Sequence, residues 1–245
     1  MLRLTIMSVP LFVLLSIIIF FKIIPKYDKS INDSNKNSGK IEGTEFADKI
    51  RQNGHGHRCY IDGLSTSELY IVNLLSQNLD HKDYFIFNNL IIPSEVSKTA
   101  QIDHVVVSKY GIFVIESKKY KGWIFAGMHD KKWTQRFFNG KTFQFGNPIL
   151  QNFGHVCSIK NVLPFASGSI YNVVVFMGEC EFKNERIDNV LYASELIEHI
   201  KMAHTERINE STLMMVIGKL SHLCQTVDVT NSEHTKNIKK YTRNK

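Results

Sequence analysis

QIDHVVVSKYGIFVIESKKYKG, residues 101–122, reads as two apolar strands around a tight turn. Val105–Val107 end the first strand and Ile112–Ile115 begin the second. Between them lies SKYG, where Gly111 is free to take positive φ. Setting Val107 opposite Ile112 fixes an antiparallel register. In that register Asp103 faces Glu116, and directly opposed residues hold their Cβ atoms about 5 Å apart. Lys118 lies two residues beyond Glu116 and shares its face. The hairpin therefore predicts two carboxylates and an amine at the end away from its turn.

Such a convergence is costly as bare structure, because like charges directly opposed destabilise a sheet. A divalent cation such as Mg²⁺ removes the penalty, taking one or two carboxylates plus water and substrate phosphate. It can polarise a phosphoryl oxygen and activate a bound water. Lys118 would then orient that water or stabilise charge developing on phosphorus. The bland alternative is a solvated hairpin end where Lys118 simply pairs with Glu116, an arrangement that is common and worth little. Physics alone leaves both readings open.

Outward from the hairpin, SELYIVNLLSQNL (67–79) has helical apolar spacing, with Ser65 or Ser67 as cap and Glu68 in the first turn. YFIFNNLIIP (84–93) predicts a strand. After the hairpin, KGWIFAG predicts a short strand or turn, followed by a polar aromatic loop through Trp133 and Phe138. There Trp123, Trp133, Phe137 and Phe138 lie among Lys119, Lys121, Lys131, Lys132 and Arg136. Bases stack on aromatics while lysines hold phosphates; equally, the rings could close a core. NPILQNFGHVCSIKNVL (147–163) predicts a helix with Pro148 near its first position. His155 stands one turn after Gln151 on the same face. YNVVVFM (171–177) predicts a buried strand, residues 189–200 a strand running into a helix, and residues 208–223 another helix. The order of elements predicts an α/β domain with a mixed central sheet.

The chain is 245 residues long, 43% hydrophobic and 22% charged, with a formal net charge of +7. That basic balance suits nucleic acid or an anionic membrane surface. Cys59, Cys157, Cys180 and Cys224 show no C-x-x-C spacing, so they read as thiols of a reducing compartment and exclude a zinc ribbon. GHGHRC (54–59) offers His55, His57 and Cys59 but no second ligand pair, and reads as a surface loop. LTIMSVPLFVLLSIIIFF (4–21) is uncharged and would rise about 27 Å as a helix. It predicts an uncleaved transmembrane helix rather than a signal peptide, since no small-residue cleavage pattern follows. Lys22, Lys26 and Lys29 after the span, against Arg3 before it, favour a cytoplasmic soluble body on a single-pass membrane protein. The expected division is a transmembrane anchor at 1–25 and a polar linker with a short helix at 26–62. The main core follows at 63–163, then strands and helices at 164–230 that complete the α/β domain, and a basic tail at 231–245.

IDHVVV, GIFVIESK with Gly122, Glu68 ahead of them and NPILQ behind resemble the nuclease-related domain, the NERD family, itself similar to the PD-(D/E)xK nucleases. The resemblance spans about Gly63 to Leu163. It implies a restriction-endonuclease-like mixed sheet flanked by helices. It implies Asp103 and Glu116 as metal ligands, Glu68 as the helix carboxylate supporting them, and Lys118 as the catalytic lysine. Gln151 would touch the metal water or a backbone phosphate. Mg²⁺, with Mn²⁺ as a substitute, is the implied cofactor. One departure is GLSTSE (63–68), which lacks the second glycine expected before the helix glutamate. His104, next to Asp103, points to the opposite face of a regular strand and reads as a packed histidine. The expectation is a membrane-anchored, metal-dependent nuclease hydrolysing phosphodiester bonds in DNA. The alternative is a noncatalytic module that keeps the fold and binds nucleic acid or associates with a membrane.

Overall fold

The structure is a computed structural model that describes residues 57–58, 64–95, 97–184 and 187–225. It begins with a short strand β1, His57–Arg58. Ser65 then starts helix α1, Thr66–Asn78. The Ser65 hydroxyl accepts from the Glu68 N–H and the Glu68 carboxylate accepts from the Ser65 N–H, a reciprocal capping box. Three long strands follow: β2 (Phe85–Ser94), β3 (Lys98–Ser108) and β4 (Gly111–Lys119). Their β-branched and aromatic side chains suit strands buried on both faces.

The predicted register is present at the turn, where Val107 pairs with Ile112. The β3–β4 ladder runs only from Ser108–Gly111 to His104–Ile115, however. It stops one residue short of the expected Asp103–Glu116 pair. The cause is a change of direction in β3 and β2 together. Val105 and Val107 share a core with Ile102 and Ala100, so the inward face switches parity between 102 and 105. On β2, Phe87 and Leu90 show the same switch, and Asn89 between them has φ 52°. Asn tolerates that left-handed conformation better than most residues. Beyond the switch β2 and β3 stay paired to Ser94–Lys98, bending away from β4 as a unit.

The segment expected to be a polar aromatic loop is instead strand. β5 (Gly122–Phe125), β6 (Lys132–Arg136) and β7 (Thr142–Gly146) form a second sheet with β9 (Cys180–Phe182), in the order β7-β6-β5-β9. β6 alternates exposed Lys132 and Arg136 with buried Trp133 and Gln135, a period-2 pattern masked by its polarity. Helix α2, Pro148–Val162, then leads through a 3₁₀ turn to β8, Ile170–Met177. β8 lies parallel to β4, and β10 (Val190–Tyr192) lies parallel to β8. The main sheet has the order β1-β2-β3-β4-β8-β10. Helices α3 (Leu196–Met202) and α4 (Glu210–Gln225) complete the described chain.

Helices flank the main sheet on both faces. Val156 and Ile159 of α2, Leu163 just past its end, and Val216, Ile217 and Leu220 of α4 pack with Val105, Val107, Ile112 and Val114. Ile71 and Leu75 of α1 and Leu196 and Ile200 of α3 pack with Val106, Phe113, Ile115 and Val173. A third cluster joins the sheets, with Trp133 stacked on Phe176 of β8 at 6.0 Å. This mixed, helix-flanked sheet fits the restriction-endonuclease-like topology.

The transmembrane part of the expectation is corrected. No helix among the described residues is long and apolar enough to cross a membrane, and residues 4–21, which prompted it, lie outside the described residues. Membrane anchoring and a single-pass membrane localisation have no helix among the described residues to support them. The linker's short helix and the basic tail also lie outside the described residues, whereas His57–Arg58, expected in a surface loop of the linker, pair with β2 as the strand β1. Cys157 and Cys180 are free thiols but Cys224 is disulfide-bonded, so the reading of every cysteine as a thiol is corrected too.

Candidate active site

Glu116 is the centre of the site. It is the first residue of β4 beyond its ladder with β3, and only 3% exposed. Alternation turns it and Lys118 to the face that α2 covers. Lys118 Nζ donates to Glu116 Oε1 at 2.5 Å. Gln151 Nε2, from the first turn of α2, donates to the same oxygen at 2.8 Å, while its Oε1 accepts from Lys118 Nζ at 3.1 Å. The three residues close a triangle of hydrogen bonds. On the other oxygen, His155 Nε2 lies 3.3 Å from Glu116 Oε2. That approach falls short of an aligned hydrogen bond, and neither buried atom has another partner. Burial opposes ionisation of Glu116, but the His155 ring and the Lys118 ammonium outweigh it and hold its pKa below the ordinary glutamate value.

Asp103 is held elsewhere. Where β3 leaves β4, its Oδ2 accepts from the Ser117 N–H at 2.8 Å and from the Ser117 hydroxyl at 2.9 Å. The carboxylate replaces the strand as acceptor for that backbone donor. Burial first, and then the nearby Glu116 charge, push the Asp103 carboxyl up to about 6 despite these two bonds. The two carboxylates are close enough to repel but share no hydrogen-bond partner. Glu68 reaches Asp103 only as a minor like charge, because its carboxylate is turned back to cap α1.

The sequence thus brings Glu116, Lys118 and Gln151 into direct contact, sets Asp103 one residue away on Ser117, and leaves Glu68 in its cap. His104 is fully buried and points one ring nitrogen at Asn88 Oδ1, 2.8 Å away. Burial pushes its pKa down to about 3, so it stays neutral and packed as expected. The expected metal site is corrected: among the described residues no three His, Cys, Asp or Glu side chains are grouped to hold a metal ion. The reason lies in the partners. Each oxygen of Glu116 faces a protein group, Asp103 Oδ2 is bound to Ser117, and Glu68 is engaged at its helix end. As folded, these carboxylates are not assembled into a cation site among the described residues.

Two residues with positioning roles escaped the sequence reading. Asn147 caps α2 by accepting from the Ile149 N–H, and its amide donates to the carbonyls of Gly127, Met128 and Asp130. Asn152, fully buried, donates to Val114 O, Asn172 Oδ1 and Val173 O. Together they fix α2 so that Gln151 and His155 meet Glu116. The Asn-Pro start of the helix was a visible signal for Asn147; nothing local marks Asn152.

Residues 65–177 match the model of the family described as NERD, nuclease-related domain. An uncharacterized protein of Bacillus anthracis is 28% identical over 182 residues, covering 71% of this chain and 82% of that protein. No solved structure matches the chain.

Proposed function

From the premise that residues 65–177 are a nuclease-related domain, consistent with the PD-(D/E)xK superfamily, we propose that this chain is a nucleic-acid-binding module that retains the nuclease fold. One observation carries the reading: the buried Glu116 carboxylate already has partners within the protein, with Lys118 and Gln151 hydrogen-bonded to one oxygen and the His155 ring beside the other. A carboxylate so engaged has one oxygen committed to two donors and the other facing the His155 ring. The formal net charge of +7 supports an anionic partner. In this module Lys118 and Gln151 form the polar lip of the site and Glu116 positions them. Asp103 pins the point where β3 parts from β4, and Glu68 fixes the start of α1.

A second reading, phosphodiester hydrolysis with Mg²⁺ or Mn²⁺, has one observation behind it. Asp103 is pushed up to about 6 partly by Glu116, a mutual repulsion that a cation would relieve. It requires Lys118, Gln151 and His155 to release Glu116, and no catalytic step follows from the folded arrangement. The test uses the full chain with labelled DNA and RNA, single and double stranded. Binding is measured against salt, and integrity of the nucleic acid is followed in EDTA, Mg²⁺ and Mn²⁺. The expected result is salt-sensitive binding that persists in EDTA, with the nucleic acid intact throughout. Metal-dependent cleavage that disappears in Lys118→Ala would overturn the noncatalytic reading in favour of hydrolysis.

A further inference from the structure

The second sheet has two unlike faces. Its inner face, with Ile124 and Trp133, is consumed by the core against Val174 and Phe176. Its outer face carries aromatic rings that no core requires. Trp123 pairs with Arg136 on β6 and with Glu181 on β9, so all three share that face. Phe125, two residues along, is 37% exposed on the same side. Phe138, just past β6, is 76% exposed and meets the Trp123 ring edge-on at 6.0 Å. The rings are therefore mounted as a platform rather than packed away.

Cations frame the platform. The Arg136 guanidinium lies 5.8 Å from the centroid of the Trp123 ring and the Lys183 ammonium 5.1 Å from it. Lys132 is exposed on the same face of β6. Glu181 is the acid on this face, and it is paired with Lys183 at 2.5 Å. Exposed rings bordered by cations complement a chain that alternates flat apolar bases with phosphates. A duplex hides the faces of its bases, whereas a single strand offers them. A protein partner would use the rings but has no general need of the cations around them.

We propose that the outer face of the second sheet is a binding site for single-stranded nucleic acid, with bases stacking on Trp123 and Phe138 and phosphates held by Arg136 and Lys183. The site is separate from the Glu116 network but rests on the reading of the chain as a nucleic-acid binder. The probe is a labelled deoxythymidine oligonucleotide, titrated with the full chain and followed by fluorescence anisotropy beside a duplex of equal length. Phe138→Ala changes an exposed side chain and leaves the fold intact; it should weaken oligonucleotide binding about tenfold. Trp123→Ala should do at least as much, and Arg136→Gln should flatten the salt dependence. Met202→Ala, on α3 and outside both sites, changes an exposed side chain and should leave oligonucleotide binding unchanged.

Wild-type binding with the same affinity in Phe138→Ala, Trp123→Ala and Arg136→Gln would overturn this site while leaving the general reading standing. Absence of binding to any nucleic acid would overturn both. A concentration-dependent dimer dispersed by Phe138→Ala, without oligonucleotide binding, would assign the face to a second copy of the chain and overturn the proposal.

Discussion

Glu116 stays ionised at 3% exposure because charged and polar neighbours replace its lost water. Lys118 supplies the positive charge, and its own side chain keeps 21% exposure. Removing the amine strands a buried carboxylate, whereas removing the carboxylate leaves an amine that water can reach. The two changes should therefore differ. Lys118→Met should cost about 2 kcal/mol, short of the loss for a fully buried pair because Gln151 and His155 remain. Glu116→Gln should cost under about 1 kcal/mol, and the double variant should recover most of the loss seen in Lys118→Met. Urea unfolding of the four proteins completes the cycle; equal costs for the two single changes would show that Glu116 is not the dependent partner. Asp103 makes a pH prediction. Its folded pKa of about 6 exceeds the ordinary 3.8, so between these values the unfolded chain releases its proton while the folded chain keeps it. Stability contributed by this group is lost as pH rises through that window and is flat above it. His104, pushed down to about 3 from 6.5, slopes the other way and loses stability as pH falls. The sum conceals both, but Asp103→Asn removes the first and keeps the second. Relative to wild type, the variant should gain about 2 kcal/mol between pH 4 and pH 7. Denaturation midpoints that run parallel across this range would contradict the assignment.

The second sheet depends on backbones that approach closely. Gly122 has φ 79°, and a Cβ built there would lie 2.5 Å from the Arg136 carbonyl oxygen on the facing strand. A backbone atom in a paired strand cannot move aside cheaply, and L side chains rarely adopt that φ. Gly122→Ala should thus separate β5 from β6 at a cost of about 2–4 kcal/mol. The chain's two tryptophans, Trp123 and Trp133, are both in these strands, so tryptophan fluorescence reports this sheet specifically. The fluorescence transition of the variant should precede its far-ultraviolet circular dichroism transition; a shared shift would mean that the two sheets unfold together. These strands also mark where the sequence stopped being legible. Capping at Ser65, the apolar spacing of α1 and the β-branched run of β8 are local signals, and each was read to within a few residues. β6 reads as loop in the sequence because Lys132, Thr134, Gln135 and Arg136 make it polar, and only the core around Trp133 gives those residues an inside and an outside. The end of the β3–β4 ladder was illegible for a similar reason. It depends on the bend at Asn89, a neighbour on another strand.

Across the whole molecule, the candidate site is made where distant segments meet, and this explains which of its parts could be foreseen. Glu116 and Lys118 lie two residues apart on one strand, so alternation alone put them on one face. Gln151 is 35 residues away from Glu116 and came only through the family pattern. The joint that brings them together is Asn147. It is 3% exposed, and its side chain works in two directions. Its oxygen caps α2, the helix that carries Gln151 and His155, while its nitrogen grips three carbonyls in the segment leading from β5 to β6. The second sheet thereby sets the seat of the helix that completes the Glu116 network. Asn147→Ala removes both functions and should cost about 2–3 kcal/mol. Asn147→Ser restores a cap but is too short to reach the three carbonyls, so it should recover about 1 kcal/mol of stability and no more. Loosening the seat should also free Lys118 from Gln151, which nitrogen-resolved NMR of the Gln151 side-chain amide detects as a shift toward its solvent-exposed position in both variants. If Asn147→Ser regains full stability and the native Gln151 amide position, capping alone seats α2 and the second sheet has no hold on the site.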